Sequence, residues 1–399
     1  MDFKIKQLDN IKFSHAELVE YYEKIKNEYQ NLRWDASMLS DHKDHKVSKL
    51  YSWAIQSNLK DPSKPCAPYH IDTSDAVDPK DSFSVPTDLI FGFGQRVIEA
   101  FPNVRQTVIA AHPPGTKINF HIDNDEFVKI HIPIYANIQS YFEFEDEKFL
   151  LKEGNAYLVN TTLMHATDNL GDTDRVHFIF KIKKSDVDVI LNNEWILDPQ
   201  HLDFDILELP NVKFNFNEVT NYWNTVKTDY DYLKWTITEK DVPPDPRAKS
   251  TIGIYGYGIL SNLDNADLPC NPPGNSNKDD KHRRFVKPTK LVFDIADKIL
   301  KQFPKCEELG ITAHPANTAL PSHIDKDDHI RIHIPISTND QAWFYHGTTK
   351  LNLEVGKAYI INTKRMHYTI NNGLTDRIHI LFKMPYALTN QILKMDINL

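Results

Sequence analysis

The strongest constraint on the fold of this 399-residue chain is that it repeats itself. From His112 to Lys181 a second copy follows without a gap, always 202 positions later, and roughly half of the positions are identical. Self-similarity over this length indicates two domains of one kind rather than one long core. We place the first domain at 1–201 and the second at 202–399, joined by a short segment without a Gly/Ser linker.

The composition narrows the class of protein. Hydrophobic residues make up 41% of the chain and charged residues 25%, as in globular proteins that fold in water. No apolar run approaches the roughly 20 residues of a membrane helix, and the first residues show no apolar signal core, so we expect a cytoplasmic protein without a membrane partner. Three cysteines give no disulfide framework, and a net charge of −9 without a basic block argues against a nucleic-acid partner.

Each copy shows helical patterns first and strand patterns afterwards. In the first copy Ser14 opens a predicted helix over 15–31, and Pro86-Thr87 opens a second one that runs to Ala100. The counterparts in the second copy are predicted at 219–233 and from Pro288-Thr289 onward. Short segments rich in Val, Ile, Phe and Tyr then predict strands at 104–111, 127–134, 140–145, 156–160 and 175–182.

A short helix closes each copy, at 185–193 and at 387–394. Helices followed by about eight strands favour a mainly β (α+β) architecture. We therefore predict two tandem jelly-roll domains, that is, cupin-like double-stranded β-helices, each with buttressing N-terminal helices.

Histidine is unusually frequent, and several histidines recur in both copies. The chain has 18 His against 13 Gly. His121 and Asp123 are two positions apart, so in a strand they face the same side, and His165 can supply a third ligand from a distant strand. Two imidazoles and one carboxylate form the facial triad of non-haem Fe(II) sites, although zinc accepts the same ligands. The second copy repeats the set as His323, Asp325 and His367.

An arginine follows the last histidine of each set by ten residues, as Arg175 and Arg377. A guanidinium inside a jelly roll is costly unless an anion partners it, and its bidentate fork suits the distal carboxylate of a dicarboxylic acid such as 2-oxoglutarate. A structural salt bridge with Asp174 or Asp376 is the alternative. These two acids are adjacent to the arginines in a strand and therefore point to the opposite face.

Together these residues resemble the aspartyl/asparaginyl β-hydroxylase-like branch of Fe(II)/2-oxoglutarate dioxygenases, which is also similar to bacterial proline cis-hydroxylases. The resemblance covers about 70 residues of each copy. In the first copy it is carried by His121-x-Asp123, Lys129-x-His131-x-Pro133, Gly154-x-Ala-Tyr157, His165-x-x-x-Asn169 and Arg175. The second copy gives the same series from His323 to Arg377.

The resemblance implies a hydroxylase of an amino acid, free or in a peptide, with Fe(II), 2-oxoglutarate and O2 as cofactor and cosubstrates. The two triads would hold iron, and Arg175 and Arg377 would bind 2-oxoglutarate, which is converted to succinate and CO2. The family's basic-x-His element would contact the keto acid or the substrate, and it matches Lys129 with His131, and Arg331 with His333. Lys129 departs from the family's usual arginine.

Other residues kept in both copies have less specific interpretations. His112, His177 and their counterparts His314 and His379 either line the pocket or serve the fold. Asn169 and Asn371 support the site or form turns. Four aromatic residues are expected in the core, namely Tyr157, Tyr359, Trp34 and Trp235.

Two alternatives stay open. One copy could catalyse while the other is a scaffold or binds ligand, since Tyr141-Phe-Glu-Phe-Glu in one wall is replaced by Trp343-Phe-Tyr-His-Gly. A non-oxidative cupin-like metal protein is the other, but it has no need for Arg175 and Arg377. Under each reading the expected partner is a small-molecule or peptide substrate.

Overall fold

A computed structural model describes residues 2–36, 49–68, 83–101, 103–123, 126–145, 147–198, 202–242, 248–265, 268–270, 285–325, 328–347 and 349–399. The chain divides into two compact units, Met1–Asp198 and Pro199–Leu399, which we call unit 1 and unit 2. The predicted join at 199–201 lies outside the described residues.

Each unit contains an antiparallel sheet of seven strands, which we call its major sheet. In unit 1 the order across the sheet is Ile5–Gln7, Tyr157–Val159, Phe127–Tyr135, Arg175–Lys183, Arg105–His112, Tyr51–Ala54 and Arg33–Asp35. In unit 2 the order is Ile206–Glu208, Tyr359–Ile361, His329–Ser337, Arg377–Pro385, Glu307–His314, Tyr255–Gly258 and Lys234–Thr236.

A second antiparallel sheet of four strands, the minor sheet, completes each unit. In unit 1 its strands are Glu147–Phe149, Ser140–Phe144, His165–Asn169 and Lys117–His121. In unit 2 they are Thr318–His323, His367–Asn371, Ala342–His346 and Thr349–Leu351. Phe142 and Phe144 of the minor sheet pack with Tyr157 and Val159 of the major sheet, so the two sheets share a core. The predicted jelly-roll fold is confirmed.

The alternation of side chains along the two longest strands decides which residues face the space between the sheets. In Arg175–Lys183 the residues Val176, Phe178, Phe180 and Ile182 are fully buried apolar side chains. The intervening positions face the other side of the sheet because successive side chains alternate. That other side faces the space between the two sheets, and it carries Arg175, His177, Ile179 and Lys181.

Helices cover the outer face of each major sheet. In unit 1 they are His15–Glu28, Gly92–Ala100 and Val187–Asn192, with 3-10 turns at Gln30–Leu32 and Lys184–Asp186. In unit 2 they are Phe216–Asp229, Asp294–Gln302 and Thr389–Lys394, with 3-10 turns at Asp231–Leu233 and Tyr386–Leu388. A further 3-10 turn, Ala248–Thr251, lies instead against the minor-sheet strand Thr318–His323. Ser14 caps the first helix as predicted, since its hydroxyl accepts a hydrogen bond from the Glu17 N–H. None of the helices in the described ranges is long and apolar enough to cross a membrane.

The predicted starts of the second helix in each unit are wrong by several residues. Val85–Pro86 pairs with Gln56–Ser57 as a short strand, and Lys287–Pro288 pairs with Leu260–Ser261. The hydroxyl of Thr87 lies 2.9 Å from the Ala54 carbonyl oxygen, to which it donates. Thr87 therefore closes a turn against the neighbouring strand, and the helix begins only at Gly92.

The predicted order of helices first and strands afterwards is also corrected. Three strands of the unit 1 major sheet, Ile5–Gln7, Arg33–Asp35 and Tyr51–Ala54, come from the segment before the second helix. They have three or four residues each, which is too short for an alternating pattern to be visible. A parallel two-stranded ladder joins Ile11–Lys12 to Trp195–Ile196, and unit 2 repeats it with Val212–Lys213 and Ile397–Asn398.

Candidate metal centre

The three predicted ligands of unit 1 lie at one edge of the minor sheet. His121 ends the strand Lys117–His121, and it pairs in register with His165 at the start of the neighbouring strand. Asp123 follows two residues later, where its backbone N–H donates to the Thr161 carbonyl at 3.0 Å. One ligand atom from each of the three residues lies within 4.8 Å of the others. Strand pairing thus brings together residues that are distant in the sequence.

Both imidazoles present the same nitrogen to the carboxylate. His121 Nδ1 lies 2.8 Å from the Asn119 carbonyl oxygen, and His165 Nδ1 lies 2.9 Å from that of Leu163. Because a carbonyl oxygen only accepts, Nδ1 carries the proton and Nε2 keeps its lone pair. The Nε2 atoms lie 3.8 and 4.0 Å from the oxygens of Asp123. Two nitrogens and one oxygen turned toward one point fit a divalent transition metal.

Unit 2 repeats this geometry. His323 and His367 hold their Nδ1 atoms 2.7 and 2.9 Å from the carbonyl oxygens of Pro321 and Arg365. His323 Nε2 lies 3.6 Å from Asp325 Oδ1, and the three ligand atoms are again within 4.8 Å of one another. The ring centroids of the two histidines are 4.3 Å apart in both units. Neither unit has lost a member of its triad.

The protonation states of the triad suit metal binding. Burial lowers the pKa of His165 to about 4, and that of His367 to about 4, so both imidazoles are neutral at pH 7. Burial by itself would raise the pKa of Asp123, but the ammonium group of Lys129 outweighs it and holds the pKa below its usual range. The carboxylate is therefore charged, as a metal ligand must be.

The basic member of the basic-x-His element contacts the acidic member of the triad. Lys129 Nζ lies 2.7 Å from Asp123 Oδ2, and Arg331 Nε lies 2.8 Å from Asp325 Oδ2. The exchange of Lys for Arg thus keeps the same ion pair. These cations hold the carboxylates in place, and the keto-acid or substrate contact inferred for them stays a prediction.

Arg175 and Arg377 are buried beside the triads. Within the described part of the chain no carboxylate forms an ion pair with either guanidinium. Asp174 instead accepts a hydrogen bond from the Tyr51 hydroxyl, and Asp376 accepts one from Tyr255. The Arg175 guanidinium lies 4.9 Å from the centre of the Phe142 ring, on the minor sheet. A buried cation in this setting calls for an anion, and the described residues do not supply one.

Three neutral imidazoles surround Arg175. The guanidinium lies 3.3 Å from His112 Nδ1 and 3.4 Å from His177 Nδ1, and His131 Nδ1 lies 3.3 Å from His177 Nδ1. Burial lowers the pKa of all three histidines, and the positive charge of Arg175 lowers it further. The imidazoles therefore stay uncharged and do not neutralise the arginine. Unit 2 keeps the same residues around Arg377, with His333 Nδ1 3.2 Å from His379 Nδ1.

A cavity of about 590 Å³ in unit 1 connects the triad to the arginine. Its lining includes the predicted residues His121, Asp123, His165, Lys129, His131, His112 and Arg175. His177 lies behind this lining and contacts Arg175 and His131. Asn169 donates to the carbonyls of His112 and Thr173, which places it in support of the loop before Arg175. Tyr157, Tyr359, Trp34 and Trp235 are buried, as expected of core residues.

The cavity lining also contains residues that the sequence reasoning missed, among them Lys181 and Gln106. Lys181 lines the cavity, and its retention as Lys383 was a signal that the comparison of the two copies could have used. Gln106 also lines it. Its position rests on a left-handed backbone with φ of 49°, which no local pattern reveals.

The fold and site define a jelly-roll protein with two His-x-Asp…His centres, and comparison with known families gives the same class. The family described as aspartyl/asparaginyl beta-hydroxylase matches residues 84–185 and 267–385, together more than half of the chain. The chain belongs to this family, and the resemblance inferred from the sequence is confirmed.

Solved structures show more distant similarity. A viral collagen prolyl hydroxylase from Paramecium Bursaria Chlorella virus-1, in a 2-oxoglutarate complex, is 10% identical, with 46% of this chain and 96% of that chain covered and a TM-score of 0.27. AerE from Microcystis aeruginosa is 11% identical over 70% of this chain and 86% of its own, with a TM-score of 0.20. A salicylate 1,2-dioxygenase from Pseudaminobacter salicylatoxidans is 7% identical over 72% of each chain, with a TM-score of 0.21. Among curated proteins no significant match is found.

Proposed function

We propose that this protein is a non-haem Fe(II)/2-oxoglutarate-dependent dioxygenase that hydroxylates an amino acid, free or in a peptide, with one site in each unit. The observation that carries the proposal is the buried guanidinium of Arg175, which has no carboxylate partner in the described residues and lines the same cavity as a complete triad. Arg377 of unit 2 is likewise buried without a carboxylate partner in the described residues. A metal site alone would not need these arginines.

Each residue of the site has a defined part in this proposal. His121, Asp123 and His165 would hold Fe(II) through the two Nε2 atoms and the carboxylate, and their counterparts would do so in unit 2. Bound iron would supply the activation of O2, with 2-oxoglutarate as the electron donor. Lys129 keeps Asp123 ionised and in place.

Arg175 would bind the distal carboxylate of 2-oxoglutarate and so fix the orientation of the keto acid in the cavity. The neutral imidazoles of His112 and His177 hold the guanidinium without neutralising it, which leaves its charge for the incoming anion. The remaining volume of the cavity, lined by Ile118, Phe120 and Ile179 among others, would take the substrate and exclude water.

Anaerobic Fe(II) titration followed by succinate detection tests the proposal. We expect two equivalents of iron in the unaltered chain and one in His121→Ala or His323→Ala, because each substitution removes one ligand of one triad. His15→Ala is the control, since His15 is bonded to the Ile134 carbonyl outside the site and should leave two equivalents.

The release of succinate from 2-oxoglutarate across a panel of amino acids then separates the alternatives. Turnover that survives in one single variant and disappears in the other would show that one unit alone is catalytic. Iron binding without any 2-oxoglutarate consumption would favour a non-oxidative cupin-like protein. Absence of iron binding would overturn the proposal.

A further inference from the structure

The strand that carries His121 forms the outer edge of the minor sheet in unit 1. The order across this sheet ends in Lys117–His121, and in the described part of the chain this strand pairs on one side alone, with His165–Asn169. Every residue from Ile118 to Ile122 lines the cavity. One edge of the sheet is therefore also a wall of the candidate metal centre.

The hydrogen bonds to the neighbouring strand show which backbone groups of this edge turn outward. The Asn169 N–H donates to the Thr116 carbonyl oxygen at 3.0 Å, so Thr116 turns its groups toward the sheet. Because the groups of an antiparallel strand alternate between its two sides, Lys117 and Asn119 turn theirs away from the sheet. No described residue bonds to these two outward N–H groups or to the Lys117 carbonyl oxygen. The edge thus offers two donors and one acceptor beside a metal ligand.

In unit 2 a segment of the same unit covers the corresponding edge. Ala319 is the counterpart of Lys117, and Ser250 Oγ donates to its carbonyl oxygen at 3.0 Å. Ser250 belongs to the 3-10 turn Ala248–Thr251, which lies against the strand Thr318–His323. The outward carbonyl at this position therefore accepts a donor, and unit 2 supplies that donor itself.

A proline adds to this closure in unit 2. Pro321 stands 202 positions after Asn119, and a proline has no N–H to offer to an added strand. The carbonyl groups of both residues keep one task, because each accepts from Nδ1 of the histidine ligand two residues later, at 2.8 Å in unit 1 and 2.7 Å in unit 2. The exchange removes only the outward donor. Edge prolines and covering segments are devices by which proteins prevent the addition of a strand.

The side chains around the open edge are apolar and exposed. Phe120 is 47% exposed and Ile122 is 55% exposed, and both line the cavity. Leu163 and Met164, which precede the ligand His165, are exposed as well. Apolar side chains gathered at the mouth of a cavity are typical of a surface that a ligand covers.

We infer that unit 1 acts on an extended peptide, which adds to Lys117–His121 as a further strand of the minor sheet, and that unit 2 takes no substrate in this way. The peptide exchanges main-chain hydrogen bonds with Lys117 and Asn119 and places one residue at the cavity mouth beside His121. The apolar side chains next to that residue pack on Phe120 and Ile122. This inference rests on the proposed function, since it names the substrate class and the docking edge of the unit 1 site.

Strand geometry sets the length of the probe. A strand rises about 3.3 Å per residue, so five peptide residues extend along the whole of Lys117–His121. The probe is the acetylated and amidated peptide Thr-Val-X-Val-Thr, in which X runs through the natural amino acids. Its β-branched residues favour the extended conformation and supply apolar neighbours to X. The free amino acids X are the comparison.

Paramagnetic relaxation measures binding without turnover. Mn(II) is bound anaerobically in the presence of 2-oxoglutarate to His323→Ala, in which only the unit 1 triad is complete, or to His121→Ala for unit 2. The relaxation of the peptide protons then reports binding next to the metal of one chosen unit. We expect peptides of the series to bind unit 1 at least about tenfold more tightly than unit 2, whose edge lacks the open donors and acceptor.

Methylation of the peptide amides tests the strand pairing itself. In an added strand alternate residues bond to the protein, while the residues between them turn to solvent. A methyl group on an amide of the first set should weaken binding to unit 1 by about two- to tenfold, and one on an amide of the second set should have little effect. A peptide bound in another way gives no such alternation.

Asn119→Pro and Asn119→Ala test the protein side of the edge. Both substitutions remove the amide side chain, but only proline removes the outward N–H, and Pro321 shows that the strand accommodates a proline at this position. Each variant is loaded with Mn(II) to equal occupancy. Asn119→Pro should bind the peptide about two- to tenfold more weakly than Asn119→Ala. If Asn119→Pro does not fold, the methylated peptides decide with the parent.

The possible failures are distinct. Equal peptide affinity of the two units, methylation effects without alternation, or binding of free amino acids alone overturns the inference and leaves the proposed function standing. Failure of both triads to bind Mn(II) overturns the proposed function and this inference with it.

Discussion

Replacing Arg175 by methionine separates a functional arginine from a structural one. Burial lowers the pKa of Arg175 from 12.5 to about 9, which corresponds to about 5 kcal/mol of unfavourable free energy for the charged guanidinium. The contacts that offset this cost are modest. The Phe142 ring contributes about 1–2 kcal/mol, and the hydrogen bonds to His112 and His177 contribute about as much.

A methionine of similar length avoids the desolvation cost and fills the same space. We therefore expect Arg175→Met to raise the free energy of unfolding of the metal-free protein by between about 0 and 2 kcal/mol. Arg377→Met should raise the free energy of unfolding by a smaller amount, because burial lowers the pKa of Arg377 only to about 10. If the main role of the arginine were to stabilise the fold, its replacement by methionine would instead lower the free energy of unfolding.

The same variant should lose affinity for 2-oxoglutarate. Removal of a buried, charge-assisted pair costs about 2–4 kcal/mol, so binding in unit 1 should weaken by about 30- to 1,000-fold. Urea denaturation with and without 2-oxoglutarate and Mn(II) measures both effects in one experiment. The measurements use His323→Ala as background, so that only unit 1 binds the ligand. A loss of several kcal/mol in the metal-free state, together with undiminished 2-oxoglutarate affinity, would refute the reasoning.

Two further predictions concern stability. The free energy of unfolding of the metal-free protein should fall as the pH drops below about 6.5, by up to about 1.4 kcal/mol per pH unit for each buried neutral histidine. The reason is that the folded pKa values of these histidines lie below the unfolded value, so the unfolded state binds more protons in this range. Denaturation midpoints between pH 7.5 and 5.5 measure this effect, and a flat profile would contradict it. The histidines concerned are His112, His131, His177, His314, His333 and His379. Gly171→Ala should destabilise unit 1 by about 1–3 kcal/mol, since its Cβ would lie 2.2 Å from Asn137 Oδ1 and displace the side chain that bonds Asn169 and Thr173. Gly154→Ala is the control, because Gly154 has a φ of 75° and an added Cβ would meet no atom within 4 Å, so it should cost only about 1 kcal/mol of backbone strain. An equal decrease in the free energy of unfolding in both variants would argue against the packing explanation.

The sequence was sufficient to predict the fold and the residues that meet at the site. His121 and His165 pair in register because each lies at the end of a strand with strong β character, and the second copy provided an independent comparison. The positions of Lys129 and His131 on the inward face follow from the alternation of their strand with Val128 and Ile130. What these residues bind stays a prediction.

The remaining features depend on contacts between distant segments. Thr87 resembles a helix cap in isolation, but its hydroxyl bonds to Ala54. The strand Ile5–Gln7 has three residues and exists only because it pairs with Tyr157–Val159. Gln106 has a left-handed backbone and lies at a bulge, which directs its side chain into the cavity. No local sequence pattern distinguishes this position from an ordinary strand position.

The strand that begins each unit bears on how the chain acquires its structure during synthesis. Ile5–Gln7 pairs with Tyr157–Val159, and Ile206–Glu208 pairs with Tyr359–Ile361, so the first edge of each major sheet forms only after most of its unit has been made. On the ribosome Ile5–Gln7 meets its own partner before the similar strand of unit 2 exists. A chain refolding from denaturant instead offers two similar partners to each edge strand at once, which permits exchange of strands between the copies. Synthesis from the N-terminus therefore lets the edge strand of unit 1 pair within its own unit first, an order of pairing that a duplicated sequence cannot specify by itself.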